Sequence, residues 1–166
     1  MIASRDINTG QIIAPMVNKT RTEKDFVKHI SDVVSSAPED KYIFIMDQLN
    51  THKSESLVKY VAKQCDIKEN LGKKGYCGIL KTMETRQAFL EDEIHRIRIV
   101  YTPRHASWLN QIEIWFGILT RKVLGRRASF KSVHELDGKI LDFIRYYNQN
   151  MAKPFKWSYA GKILKA

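Results

Sequence analysis

The sequence contains few cysteines: Cys65 and Cys77 are the two among its 166 residues. They form no C-x-x-C pair, so neither a disulfide framework nor a zinc knuckle is predicted. No apolar run approaches the roughly 20 residues that a membrane-spanning helix needs, and no secretory signal opens the sequence. These absences predict a cytoplasmic protein without membrane contact, of a length that fits one domain, residues 1–166.

Acidic residues are scarce in the last third of the chain. Residues 101–166 contain 12 Lys and Arg against 4 Asp and Glu, whereas residues 1–100 contain 16 against 14. Most of the net charge of +10 therefore lies in the C-terminal third. Such a region suits a polyanion, because neutralised phosphates release counterions. A basic surface that serves only solubility explains the charge equally well, so charge alone does not decide.

Hydrophobic periodicity predicts alternating strands and helices. Two short β-like runs flank the turn-type cluster Asp6 to Gly10, which predicts a hairpin. The segment "YIFIM", Tyr42 to Met46, has five apolar residues in a row, a pattern typical of a strand covered on both faces. A second strand is predicted in "RIRIVYTP", and four segments have helical spacing. This order predicts an α/β fold with one mixed sheet flanked by helices.

Asp47 directly follows the most apolar strand. In open α/β sheets, ligands collect beyond the carboxyl ends of the strands. Asn50 and His52 follow within a few positions and add polar groups to the same end. A single strand-end Asp is more often a helix cap or part of a turn, so Asp47 alone does not establish a site.

Glu113 interrupts the otherwise apolar segment "HASWLNQIEIWF". A carboxylate there is costly unless a partner stabilises it. It falls in the first turn of a helix predicted to run from about Asn110 to about Leu124, where the helix dipole favours a negative charge. Glu113 is therefore explained either as an ordinary N-terminal acid or as a cation ligand.

The two carboxylates together favour a metal site. If the strands before Asp47 and Glu113 are neighbours, both side chains face one crevice. Hard oxygen ligands in such a place suit Mg²⁺ or Mn²⁺, which bind a few carboxylates and keep waters for a phosphate substrate. With a basic region beside it, such a site indicates phosphodiester chemistry.

Two segments carry a resemblance to a known family. "MDQLNTH" and "YTPRHASWLNQIEIWFGILTRKVL" resemble the second and third acidic blocks of DDE-type insertion-sequence transposases of the Tc/mariner-related group. The likeness extends over nearly the whole chain, including "LGKKGYCGILKTM" and "MAKPFKWSY", and the H-A-S-W-L-N-x-I-E block is its most specific part. The resemblance implies a ribonuclease H-like fold. It makes Asp47 the second and Glu113 the third catalytic acid, both of them metal ligands.

The same resemblance implies the reaction and its missing part. Such transposases cleave and join DNA strands by attack of water, then of a 3′-hydroxyl, on phosphodiesters, with Mg²⁺ or Mn²⁺. Their first acid lies on a strand ahead of a hairpin like "IASRDINTGQIIAPMV", at which this sequence begins. We therefore expect an N-terminally truncated catalytic domain without its first strand, inactive by itself. Asp6 could replace the missing acid, but a turn explains it better.

Other residues are predicted to support the site or to bind DNA. Asn50, His52, His105 and Asn110 could orient ligands or water. Helix capping explains Asn110 equally well, and structural roles explain the histidines equally well. The predicted phosphate contacts, for which a solvated helix end is the alternative, are Arg104, Arg121, Lys122, Arg126 and Arg127. The implied partners are transposon-end and target DNA, in the nucleoid, and further copies of the chain in a homo-oligomer.

Two other functions remain open. A catalytically inactive remnant that binds DNA or dimerises would keep the fold without the chemistry, and the missing acid favours it for the isolated chain. A ribonuclease H-like nuclease unrelated to transposition would explain the acids, but not the H-A-S-W-L-N block.

Overall fold

The structure, a computed structural model, describes residues 1–103, 106, 109–125 and 128–156. Its strands are β1 (Ile2–Arg5), β2 (Ile12–Met16), β3 (Tyr42–Met46) and β4 (Ile97–Tyr101). Its helices are α1 (Glu23–Ser35), α2 (Glu55–Gln64), α3 (Met83–Glu91), α4 (Gln111–Lys122) and α5 (Val133–Asn150). The predicted hairpin, strands and helices are all present. None of the helices in these ranges has the combined length and apolar character that a membrane crossing requires.

The described strands form two sheets of two strands each. β1 and β2 pair antiparallel, and β3 and β4 pair parallel from Tyr42 opposite Ile97 to Met46 opposite Tyr101. The α/β class is confirmed, but the prediction of a single mixed sheet is wrong for these ranges. Strands join into one sheet only through direct backbone pairing, and periodicity in the sequence does not specify the partner of a strand.

The hairpin turn is built around Asp6. Its Oδ1 accepts a hydrogen bond from the Asn8 backbone N–H at 2.9 Å, and its Oδ2 accepts one from the Thr9 hydroxyl at 2.6 Å. Gly10 has a φ of +76°, and a Cβ there would collide with the Lys153 carbonyl. The turn explanation of Asp6 is confirmed.

Helix α1 contacts both sheets. It begins with a capping box between Thr22 and Asp25. Its buried His29 bridges to the hairpin: Nδ1 lies 2.9 Å from the Ala14 carbonyl oxygen, and Nε2 lies 2.7 Å from the Ser4 hydroxyl. Burial lowers the pKa of His29, so the neutral ring donates from Nδ1 to Ala14 and accepts at Nε2 from Ser4.

The first of two apolar cores lies between β3–β4 and helices α1, α2 and α3. Its completely buried members include Leu57, Val58, Ile97 and Ile99. The Ser54 hydroxyl caps α2 by accepting from the Leu57 N–H, so the helix starts where its apolar side meets the sheet.

The second core joins the hairpin to α4 and α5. Trp115 is completely buried there, with the Tyr147 ring edge-on at 6.1 Å, and Ile12 of β2 packs into the same cluster. The Asn148 side chain also binds the backbone of Ile12 twice: it accepts from the N–H and donates to the carbonyl, both at 2.8 Å.

Strand β3 is covered on one face. Tyr42, Phe44 and Met46 point into the first core, whereas Ile43 and Ile45 are 66% and 46% exposed. The predicted burial of both faces is therefore wrong within the described residues. An apolar run indicates that both faces can be buried, but burial also needs a second element to lie there.

Candidate active site

Asp47 leaves the end of β3 as the sequence predicted. Its Oδ1 lies 2.7 Å from His52 Nδ1 and accepts from the Leu49 N–H at 3.2 Å. No hydrogen bond from another described residue reaches Oδ2. One oxygen thus fixes the orientation of the carboxylate, while the other keeps its lone pairs.

His52 is held on three sides. It lies in a 3₁₀ turn, Asn50–Lys53, and its ring contacts the Phe26 ring at a centroid distance of 4.3 Å. Its carbonyl accepts from the Tyr101 hydroxyl at 2.7 Å. Burial raises the pKa of Tyr101, so this hydroxyl stays protonated and can donate. His52 therefore positions Asp47 from a rigid support.

A second polar pair supports the same end of the sheet, and sequence reasoning missed it. The Lys53 ammonium donates to Gln48 Oε1 and lies 4.9 Å from the centre of the Tyr101 ring. Gln48 Nε2 donates in turn to the Thr102 carbonyl at 2.9 Å, which ties the ends of β3 and β4 together. Gln48 directly follows Asp47, which was the signal available in the sequence.

Glu113 lies in the first turn of α4, as predicted. Asn110 is the N-cap, and its side chain accepts from the Ile112 N–H at 3.4 Å. Glu113 is exposed, and its carboxylate has no ion pair or hydrogen bond with another described residue. The capping explanation of Asn110 is thus correct, and the helix N-terminus supports the charge of Glu113.

One cavity of about 580 Å³, here called the acid cavity, brings the predicted site residues together. Its lining includes Asp47 and Glu113, with Asn50, His52 and Asn110 beside them. The other early acids lie elsewhere in the structure: Asp6 is in its turn and Asp25 is in the capping box of α1. Neither of these two lines the acid cavity.

The predicted DNA-binding residues are partly described. Arg121 and Lys122 are exposed in the last turn of α4, the helix that begins beside Glu113. The remaining predicted positions, Arg104, Arg126 and Arg127, lie outside the described residues, as does the predicted site residue His105.

The donor chemistry of the acid cavity fits a hard divalent cation. Asp47 and Glu113 offer carboxylate oxygens, which Mg²⁺ and Mn²⁺ prefer, and Mg²⁺ often binds through one or two carboxylates plus water and phosphate. In the described ranges no three His, Cys, Asp or Glu side chains come together in a group able to hold a metal ion. The site therefore has two carboxylates and lacks a third ligand within those ranges.

Comparison with known families identifies the chain. Residues 1–137 match the family described as DDE superfamily endonuclease, which is most of the 166 residues. The chain belongs to this family and is a DDE-type, transposase-related domain. The family resemblance predicted from the two acidic blocks is confirmed. No curated protein and no solved structure matches the chain.

Proposed function

We propose that the chain is the catalytic domain of a DNA transposase, with a ribonuclease H-like fold, that cleaves and transfers DNA strands with a divalent metal. The observation that carries the proposal is the position of Asp47 and Glu113 in one cavity, although 66 positions separate them in the sequence. The family match to DDE endonucleases supports the reaction class.

Each site residue has a role in this proposal. Asp47 and Glu113 hold Mg²⁺ or Mn²⁺, which when bound stabilises charge on the phosphate and lowers the pKa of a nucleophilic water. His52 and the Leu49 N–H hold Oδ1 of Asp47, which leaves Oδ2 for the ion. Asn50, His105 and Asn110 line or flank the space in which the scissile phosphate lies.

The basic C-terminal third contacts the DNA backbone in the same proposal. Arg121 and Lys122 project from the far end of the helix that carries Glu113, so DNA bound along α4 reaches both regions. Arg104, Arg126 and Arg127 extend this surface. The DNA comprises the transposon ends and the target, and the active complex contains more than one copy of the chain.

The first acid of the site comes from a segment ahead of the hairpin in this proposal. Asp6 does not supply it, because both of its carboxylate oxygens are engaged within its own turn. The chain of 166 residues is then an N-terminally truncated catalytic domain, and it binds metal weakly by itself.

One observation favours the second candidate, an inactive remnant that binds DNA or dimerises. The described residues contain no three-ligand metal group. In-line displacement with two ions needs ligands at both the attacking and the leaving oxygen, and two carboxylates do not provide them. The two candidates differ in what happens when the missing segment is supplied.

Supplying that segment is therefore the test. The chain alone should show weak Mg²⁺ or Mn²⁺ binding by calorimetry and no metal-dependent nicking of transposon-end DNA. With the preceding segment, in cis or as a separate chain, nicking should appear. Asp47→Asn or Glu113→Gln should then reduce it at least about 10³-fold, the scale of removing a group that stabilises transition-state charge.

Asp66→Asn is the matched control, because Asp66 is an exposed acid whose φ of +51° suits Asn as well as Asp. It should leave nicking unchanged. Nicking that never appears, with DNA binding intact, would establish the remnant. Robust nicking by the chain alone would mean that an earlier acid completes the site, and Asp6→Asn would be tested first.

The DNA surface is tested separately. Replacing Arg121, Lys122, Arg126 and Arg127 by Ala should weaken DNA binding equally for all sequences. It should also reduce the slope of log affinity against log salt by about one for each phosphate that these side chains neutralise. Lys28→Ala with Lys59→Ala is the control, since both lysines are paired with acids on α1 and α2. An unchanged slope in the fourfold variant would mean that the basic charge serves solubility.

A further inference from the structure

The open edge of β3 carries unused backbone hydrogen-bonding groups. Tyr42 donates its N–H to Arg96, and the Met46 carbonyl accepts from Thr102, so alternate residues of β3 face β4. Ile43 and Ile45 therefore direct their N–H and C=O groups to the opposite edge. No other strand of the described chain pairs there.

Strand β1 presents a second open edge to the same space. It pairs with β2 on one side, and its other side has no strand partner within the described residues. A second cavity of about 590 Å³, here called the edge cavity, is lined by both strands: by Ala3 to Ile7 near β1, and by Lys41 to Ile45 near β3. The edge cavity thus runs between two unpaired strand edges.

The two cavities form one elongated slot. They share lining residues from both strands, Ser4 from β1 and Ile45 from β3 among them. The acid cavity reaches from Met1 on β1 to Asp47 beyond β3, whereas the edge cavity covers the later part of β1 and the earlier part of β3. The strands therefore run in opposite directions along the slot, and its length matches the five residues of β3.

Both walls of the slot other than the strand edges are mainly apolar. Helix α1 contributes Phe26 and Ile30 to the acid cavity and Val33 to the edge cavity. Helix α4 contributes Phe116 to the acid cavity, and Ile112 to both. An occupant would meet backbone donors and acceptors on its two sides and apolar helices above and below.

We propose that this slot binds an extended, apolar segment of a second polypeptide as an added β-strand between β1 and β3. Only an extended backbone can satisfy two strand edges at once, and helices on both faces select a continuous apolar run over an alternating one. The added strand is parallel to one neighbour and antiparallel to the other. It also covers Ile43 and Ile45, which otherwise remain exposed on an apolar strand.

The proposal deepens the proposed function, since it rests on that function for the idea that a separate segment completes the site. Its test measures binding alone, so a failure of catalysis and a failure of strand addition are distinguishable. The probe is a synthetic peptide with five central valines and isoleucines between terminal glutamates. The matched control peptide has prolines at alternate central positions, which removes backbone donors and keeps the charge.

Amide hydrogen exchange of the intact 166-residue chain is the measurement. At a peptide concentration about tenfold above Kd, exchange at Ile43 and Ile45 should slow about tenfold, because only the free fraction exchanges. Ile43→Lys with Ile45→Lys should weaken peptide binding at least tenfold. Ile94→Lys, at a 90% exposed isoleucine away from the slot, should leave it unchanged.

Three results would overturn the proposal. The first is no slowing, or equal slowing with the proline peptide. The second is slow exchange at Ile43 and Ile45 without peptide that rises with protein concentration together with a dimer in sedimentation, since a second copy would then cover the edge. The third is slow exchange without peptide at every protein concentration, since another part of the same chain would then fill the slot.

Discussion

The β3–β4 sheet is fixed by apolar burial, whereas the β1–β2 hairpin is also fixed by polar side chains that reach its backbone. Ile97 and Ile99 of β4 are completely buried against α2 and α3. The hairpin is held through His29 at Ala14 and through Asn148 at Ile12. Apolar contacts tolerate small shifts, but hydrogen bonds specify distance and direction. The polar contacts therefore set where β1 lies, and with it one wall of the slot.

The largest expected effect comes from the apolar side of this comparison. Leu57→Ala removes a completely buried side chain from the first core and should lower the free energy of unfolding by about 2–5 kcal/mol. Urea denaturation measures it. Leu141→Ala, at a leucine that is 36% exposed on α5, should change stability by less than about 0.5 kcal/mol. Equal losses in both variants would contradict the assignment of the core.

A smaller effect is expected from the polar side. Asn148→Ala leaves the N–H and C=O of the buried Ile12 without partners, which should cost about 1–3 kcal/mol of unfolding free energy. Asn150→Ala, which removes an exposed bond to the Tyr146 carbonyl, should cost less than about 0.5 kcal/mol. A negligible loss in Asn148→Ala would mean that apolar packing alone fixes the hairpin.

The smallest effect is a pH dependence. Burial lowers the pKa of His29 below its unfolded value of 6.5, so the unfolded chain binds a proton that the folded chain does not. The stability contribution is complete above 6.5 and is lost as pH falls toward the folded pKa, with a slope of at most about 1.4 kcal/mol per pH unit. His29→Gln should remove this part of the curve, measured by urea denaturation across pH.

His134→Gln is the control for that curve, because His134 is exposed on α5. It should leave the pH dependence as it is in the unchanged chain. If both variants flatten the curve equally, the buried bridge from α1 to the hairpin does not carry the effect.

Local patterns were sufficient to predict the elements but not their assembly. The five apolar residues of β3, the helical spacing after Thr22 and the Asp6 turn each predicted what the structure contains. The pairing of β3 with β4 alone could not be predicted, because pairing depends on which edges meet in space. The exposure of Ile43 and Ile45 was likewise not visible in an apolar run.

The candidate site was predicted in outline. Asp47, Asn50, His52, Asn110 and Glu113 were selected from strand-end and helix-start positions, and they line one cavity. The contacts between Gln48, Lys53 and Tyr101 were not predicted, because they need side chains from a strand, a turn and a neighbouring strand to converge. Metal binding and catalysis by Asp47 and Glu113 stay predictions.

The Asn148 clamp has a consequence for the order of folding. Its two partners are separated by 136 positions, and the entropy lost on closing a loop grows with its length. At a synthesis rate of roughly 5–20 residues per second, Asn148 leaves the ribosome roughly 7–27 s after Ile12. The hairpin is thus made early but can be fastened only late. Until then its strand edges are open to other chains, during the same interval in which a partner strand could first be captured.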